Sequence, residues 1–212
     1  MTGAKEMELL YGTTNKSKIT FMEKKISHLG IKILSLTDIN APKMHIEENG
    51  NSPLDNARIK ALEYYKALKV PLFSCDSGLY IDGLDDSKQP GINVRGLNDY
   101  MDDETAITYY STLASEMGGK MTARYRNAIC LILGEGQVFE HMGDDIASDP
   151  FYLVTKPHEK RNVGFPLDSI SIHMKSGKYY IDMEYPFKYA EVDDGFSNFF
   201  EKALDKPSYF KT

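Results

Sequence analysis

Between Glu47 and Arg95 the chain sets out groups that together could hold a polyphosphate and a divalent cation. Glu47 and Glu48 precede a stretch with Asn56 and Lys60, which are four residues apart and share one face of a helix. The apolar run Leu72 to Cys75 then ends on Asp76-Ser77-Gly78, and a Pro90-Gly91 turn leads to Arg95. If Glu48 and Asp76 meet, their charges repel, and a magnesium ion removes that penalty. Magnesium takes one or two carboxylates, several waters and phosphate oxygens. Upstream, Thr13-Thr14-Asn15-Lys16-Ser17-Lys18 follows a strand and opens a helix. Such a helix end presents unpaired N–H groups and the positive end of the dipole to an anion. It lacks the G-x-x-x-x-G-K-[ST] pattern of a Walker A loop. Each piece also has an ordinary structural explanation. The Thr13 turn taken alone fits N-capping better, Glu47 and Glu48 fit solvated loop acids, Lys60 fits a surface lysine, and Asp76-Ser77-Gly78 fits a plain turn.

Hydrophobic periodicity places these groups on elements. Met7 to Gly12 reads as a strand, and Ile19, Met22, Ile26 and Leu29 recur at helical spacing until Gly30. Ile31 to Leu36 is a second strand. A polar stretch, 37–51, precedes a helix with Ser52 as N-cap and Pro53 in its first turn. Leu54, Ala57, Ala61, Tyr64 and Leu68 give that helix one apolar face, and Leu72 to Cys75 is a short buried strand. Further on, Asp102 to Met117 reads as a helix, and Met121 to Leu133 with Gln137 to Met142 as a hairpin. Ser169 to Met174 with Tyr179 to Met183 reads as a second hairpin, and Phe196, Phe199, Phe200 and Ala203 mark a closing helix. The alternation predicts an α/β fold. With no repeat, linker or clear boundary, 1–212 is expected to be a single domain of two lobes around a cleft.

The bulk numbers fit that expectation. The chain has 212 residues, of which 42% are hydrophobic and 26% charged, within the range of an ordinary globular protein. A net charge of −6 argues against general binding of DNA, RNA or membranes, so the basic groups for an anionic ligand must be gathered locally. Cys75 and Cys130 lie in apolar runs and are expected to be reduced, buried thiols. The five scattered histidines do not suggest a zinc site. No signal peptide or spanning segment is read, and a cytoplasmic location is expected.

Three blocks in order resemble the inosine/xanthosine triphosphate pyrophosphatases, which remove non-standard purine nucleotides. The family's opening Thr-Gly-Asn-x-x-Lys turn is represented by Thr13-Thr14-Asn15-Lys16-Ser17-Lys18. Its Glu-Glu-x-Gly-x-Thr-x-x-Glu-Asn-Ala-x-x-Lys-Ala block is represented by Glu47 through Ala61, with Glu48, Gly50, Asn56 and Lys60 in place. Its Asp-Asp-Ser-Gly-Leu turn is represented by Cys75-Asp76-Ser77-Gly78-Leu79, followed by Pro90-Gly91 and Arg95. The match is good over about the first hundred residues and weak afterwards.

The resemblance implies a two-lobed mixed sheet flanked by helices with a central nucleotide cleft, and a homodimer. It also implies magnesium-dependent hydrolysis of a nucleoside triphosphate such as ITP, dITP or XTP to the monophosphate and pyrophosphate. By the same resemblance, Asp76, Glu48 and Lys60 would be catalytic, with Glu48 and Asp76 on the metal. Thr13, Asn15, Lys18, Asn56, Ser77, Gly78 and Arg95 would hold the nucleotide and its phosphates, while Phe165 would stack on the base and Asp168 accept a hydrogen bond from it. The chain departs from the family at Cys75, which replaces an aspartate, and at Thr14, which replaces a glycine. Gly164-Phe165-Pro166-Leu167-Asp168-Ser169 is only a remnant of Gly-Phe-Gly-x-Asp-Pro, and the closing Ser-His-Arg motif has no counterpart. These departures keep two alternatives open: a pyrophosphatase with altered base specificity, and a nucleotide-binding regulatory protein without turnover.

Overall fold

Alternating burial decides how the first elements pack. The computed structural model describes residues 7–96, 101–183 and 195–205. Strand β1 (Met7–Tyr11) lies parallel to β2 (Ile31–Ser35), with Met7 opposite Ile31 and Tyr11 opposite Ser35. On its other side β1 is parallel to β3 (Leu72–Ile81), with Tyr11 opposite Phe73. Strands β4 (Lys120–Gly134) and β5 (Gln137–His141) form an antiparallel hairpin with an irregularity between Ile132 and Gly134. Strand β6 (Phe151–Val154) pairs antiparallel with the start of β4 and with β7 (Ser171–His173). The helices are α1 (Lys16–Ile26), α2 (Pro53–Leu68), α3 (Asp103–Glu116) and α4 (Gly195–Leu204). This mixed sheet with flanking helices is the α/β fold expected from the sequence.

The chain divides into two compact units, residues 1–76, 127–146 and 193–212 in one and 77–126 and 147–192 in the other. Strands β3 and β4 have residues in both. In the first unit the sheet is covered on both faces, which is why its parallel strands are apolar at successive positions. Leu9, Tyr11, Phe73, Cys75, Ile129 and Leu131 point to one face, where Met22 and Ile26 of α1 and Phe196 and Phe200 of α4 meet them. Leu10, Leu72, Ala128, Cys130 and Ile132 point to the other, against Ala57 and Ala61 of α2. Phe73 sits at the centre of the first face, stacked on Tyr11 at 4.4 Å and edge-on to Phe200 at 5.2 Å. In the second unit, Ile107, Tyr110 and Ala114 of α3 pack with Leu79, Ile81, Met121, Ala123, Phe151 and Leu153.

Three elements differ from the sequence reading. The strand expected to stop at Cys75 continues to Ile81, so Asp76-Ser77-Gly78 is strand rather than turn. Leu79 and Ile81, fully or almost fully buried, resume the apolar alternation after the polar pair and carry the strand on. The hairpin expected over 169–183 is reduced to β7, because Pro166–Ser169 and Tyr180–Asp182 are short 3-10 helices and only Ile172 and Tyr179 bridge. β7 pairs instead with β6, a four-residue strand too short to show periodicity. The two helices flanking the acidic loop and the closing helix lie where the sequence placed them, with α1 ending at Ile26 before one 3-10 turn.

Candidate active site

Helix α2 is held rigidly before it presents any charge. Ser52 caps it, its hydroxyl oxygen accepting from the Asp55 N–H at 3.1 Å and its O–H donating to Asp55 Oδ2 at 2.8 Å. Asp55 Oδ2 also accepts the Asn51 N–H at 3.2 Å. The adjoining loop is fastened by Asn56, whose Oδ1 accepts the Gly50 N–H at 2.9 Å. Asn56 is buried, and fastening this loop is what its side chain does in the structure. Gly50 is required by the close approach, since a Cβ there would lie 2.5 Å from Asp55 Cβ and 3.0 Å from the Asn56 backbone nitrogen. The result is an acidic loop pinned against the first turn of α2.

Pinning the loop brings Glu48 to Lys60, one turn beyond Asn56. Lys60 Nζ donates to Glu48 Oε2 at 2.8 Å and to Asp76 Oδ1 at 3.0 Å. Asp76 reaches it from β3, on the same face of the strand as Leu72, which packs against α2. The Lys60 and Asp76 side chains retain 13% and 14% exposure, while Glu48 keeps 43%. Burial works to lower the lysine pKa, but Asp76 and Glu48 together outweigh it and the net shift is upward. The catalytic trio named from the sequence is therefore one cluster within the first unit. Glu47 is exposed on the same loop.

The charges of Lys18 and Lys60 both act on the Cys75 thiol. Burial dominates that thiol and pushes its pKa up to about 11. Cys75 is hydrogen-bonded to Tyr11 on the sheet face opposite Asp76, so it packs as a neutral thiol. Both cysteines are free and buried, as the sequence suggested.

The Thr13 turn behaves first as a helix cap. Asn15 Oδ1 accepts the Ser17 and Lys18 N–H groups at 2.9 and 3.2 Å, and Thr13 Oγ1 accepts the Asn15 N–H at 3.2 Å. The Asn15 oxygen thus occupies the place an anion would take at this helix end. Gly12, just before the turn, leaves room for the Tyr64 ring, which a Cβ would approach to 2.8 Å.

In the second unit the structure brings Arg95, Phe165 and Asp168 together around a pocket of about 430 Å³. Arg95 is held by Asp103 Oδ1 at 2.6 Å and by the carbonyls of Met101 and Gly164 at 3.0 and 3.1 Å. Asp103 Oδ2 accepts the Gly164 N–H at 2.8 Å, so the aspartate clasps both arginine and loop. Phe165 remains 48% exposed at the pocket, whereas Asp168 is buried and accepts from the Asn162 amide at 2.8 Å. The Pro90-Gly91 turn is tied to β3 by a pair of backbone bonds between Gly91 and Leu79, with Gly91 at φ +52°. Ser77 and Gly78 follow Asp76 directly in β3.

Comparison with known proteins shows the family and the fold. The Ham1 family pattern matches residues 9–184. This chain belongs to the Ham1 family. The family resemblance read from its three blocks is thereby borne out. Among relatives of the Ham1 chain, a protein of Halalkalibacterium halodurans named dITP/XTP pyrophosphatase is 32% identical over 167 residues, 77% of this chain and 80% of its own length. One from Rhodopseudomonas palustris with the same name is 32% identical over 138 residues, 63% of this chain and 64% of its own length. The chain thus matches slightly less than two thirds of that relative. The fold resembles that of a HAM1 protein from Coxiella burnetii, with a TM-score of 0.69 at 21% identity, covering 93% of this chain and 96% of that one. The Ham1 protein of Staphylococcus aureus gives a TM-score of 0.64 at 18% identity, covering 92% and 96%.

Sequence reasoning missed three participants in the Ham1 chain. Asp103 was read only as part of a helix start, and Asn162 was not singled out. Arg58 was passed over too; it grips Asp55 at 3.1 Å and takes Glu140 of β5 with two nitrogens at 2.5 and 2.9 Å. Arg58 and Glu140 are 82 positions apart, so local periodicity carries no sign of their pairing.

Proposed function

We propose that this chain hydrolyses a non-standard purine nucleoside triphosphate, such as dITP, ITP or XTP, to the monophosphate and pyrophosphate, with magnesium. The observation that carries the reading is the convergence of Glu48 and Asp76, from a loop and a strand, on one cationic atom. The name dITP/XTP pyrophosphatase borne by the relatives supplies the substrate class.

The donor set suits magnesium. Two carboxylates lie within 3.0 Å of a shared position, and no group of three or more His, Cys, Asp or Glu among the described residues forms a richer cage. That composition matches an ion that keeps waters and takes phosphate oxygens. Glu48 and Asp76 would hold it, and when bound it supplies neutralisation of the triphosphate and polarisation of water.

The chain's own residues do the rest. Asp76 accepts a proton from the water that forms the new bond to the α-phosphorus, as the bond from that phosphorus to the bridging oxygen breaks and pyrophosphate leaves with the electron pair. Lys18 and Lys60 balance the charge gathering on the leaving group. Thr13 and Asn15 stand at the helix end nearest Lys18 and would serve the phosphates once the cap yields. Phe165 offers an exposed ring for stacking and Asp168 an acceptor for a base N–H. The homodimer implied by the resemblance belongs to the same reading. The test is a panel of dITP, ITP, XTP, dGTP and ATP with and without magnesium, scored for pyrophosphate. Release from the first three and not the last two supports the proposal, and release of orthophosphate or none at all rejects it.

A further inference from the structure

Lys60 lies between the two carboxylates that would hold the magnesium ion of the proposed function. Its Nζ lies 2.8 Å from Glu48 Oε2 and 3.0 Å from Asp76 Oδ1, so one ammonium is shared by both acids and offsets one of their two negative charges. The helix beneath it has little freedom to withdraw, because Ala57 and Ala61 are fully buried and Asn56 nearly so. A cation entering between the acids must therefore displace the lysine side chain alone. Expelled into water, the ammonium loses two charged partners and gains none, and two adjacent cations repel. A triphosphate changes that balance, since its oxygens offer the ammonium new anionic partners.

We propose that Lys60 is an internal counter-cation that closes the Glu48–Asp76 pair to bare divalent cations, so that metal and triphosphate enter together as a metal–nucleotide complex. The nucleotide half of this statement rests on the pyrophosphatase reading; the competition between lysine and metal does not. Lys60 is thus an exchanging group, paired with carboxylates in the free protein and with phosphate in the complex.

The experiment measures manganese(II) binding to the full chain without nucleotide, by equilibrium dialysis and electron paramagnetic resonance, for wild type, Lys60→Met and Lys60→Arg. Lys60→Met is expected to bind at least about tenfold more tightly than wild type, equivalent to roughly 1.4 kcal/mol, and Lys60→Arg to stay near wild type. Equal or weaker binding by a folded Lys60→Met overturns the proposal. Should circular dichroism show Lys60→Met unfolded, wild type alone decides: inorganic tripolyphosphate must strengthen manganese retention by the protein, and unchanged retention overturns the idea. None of these readouts is turnover. A protein with this binding pattern but no pyrophosphate release loses the pyrophosphatase reading and keeps this one, while an active enzyme whose methionine variant binds no more tightly loses only this one.

Discussion

At the scale of single residues, the loop that carries Glu48 is held by its neighbours Gly50 and Asn56. Gly50→Ala forces a methyl group to within 2.5 Å of Asp55 Cβ and displaces the loop that carries Glu48. Its melting temperature is expected to fall modestly and pyrophosphate release to fall much further, a divergence visible when both are measured on one preparation. Asn56→Ala leaves the Gly50 N–H without its acceptor, which costs about 1–3 kcal/mol in urea unfolding. Cys75 and Cys130 are expected to resist a thiol reagent in the native protein at pH 7.5 and to react in denaturant, because burial pushes their pKa values to about 11 and about 12. Glu48, Lys60 and Asp76 were legible in the sequence because each stands in a local block whose chemistry needs the others. The Asn56 bond to the Gly50 N–H and the Arg58 pairing with Glu140 were not, since a side chain that fastens a loop or reaches across 82 positions leaves no local pattern.

At the scale of elements, β3 shows why reading a strand by hydrophobicity alone stops too soon. The Asp76-Ser77 pair interrupts the apolar run, yet the backbone stays extended because Leu79 and Ile81 are buried beyond it. Polar residues within a strand then place the carboxylate by strand geometry rather than by a loop. The start of α1 shows the reverse, a local signal with two uses. Asn15→Ala removes the acceptor for two N–H groups and is expected to destabilise the protein by about 1 kcal/mol in thermal or urea unfolding.

The clasp of Asp103 on the second unit's loop has a pH signature. Hydrogen bonds from Gly164 and then Arg95 hold the Asp103 carboxyl below its ordinary value. A depressed carboxyl pKa stabilises the folded state fully above the unfolded value of about 3.9, and that contribution disappears as pH falls through the depressed value. Protection of the Gly164 amide in hydrogen exchange is therefore expected to drop in acid, and Asp103→Asn is expected to reproduce that loss at pH 7.

At the scale of the whole molecule, the first unit's two-sided sheet supports the acid–lysine cluster. The core of that unit was largely readable, because Met22, Ile26, Phe196 and Phe200 fall at helical spacing and all are buried. The division at Asp76 and Ser77 was not readable, because no glycine- or proline-rich linker marks it. Phe73→Ala removes a fully buried ring that contacts both Tyr11 and Phe200 and is expected to cost about 3–5 kcal/mol in stability. The central claim, that Asp76 is the base of a site formed with Glu48 and Lys60, is tested most directly by the rate of pyrophosphate release from dITP in magnesium for wild type and a folded Asp76→Asn. A fall of about a hundredfold or more is predicted; a variant that releases pyrophosphate at close to the wild-type rate would contradict it.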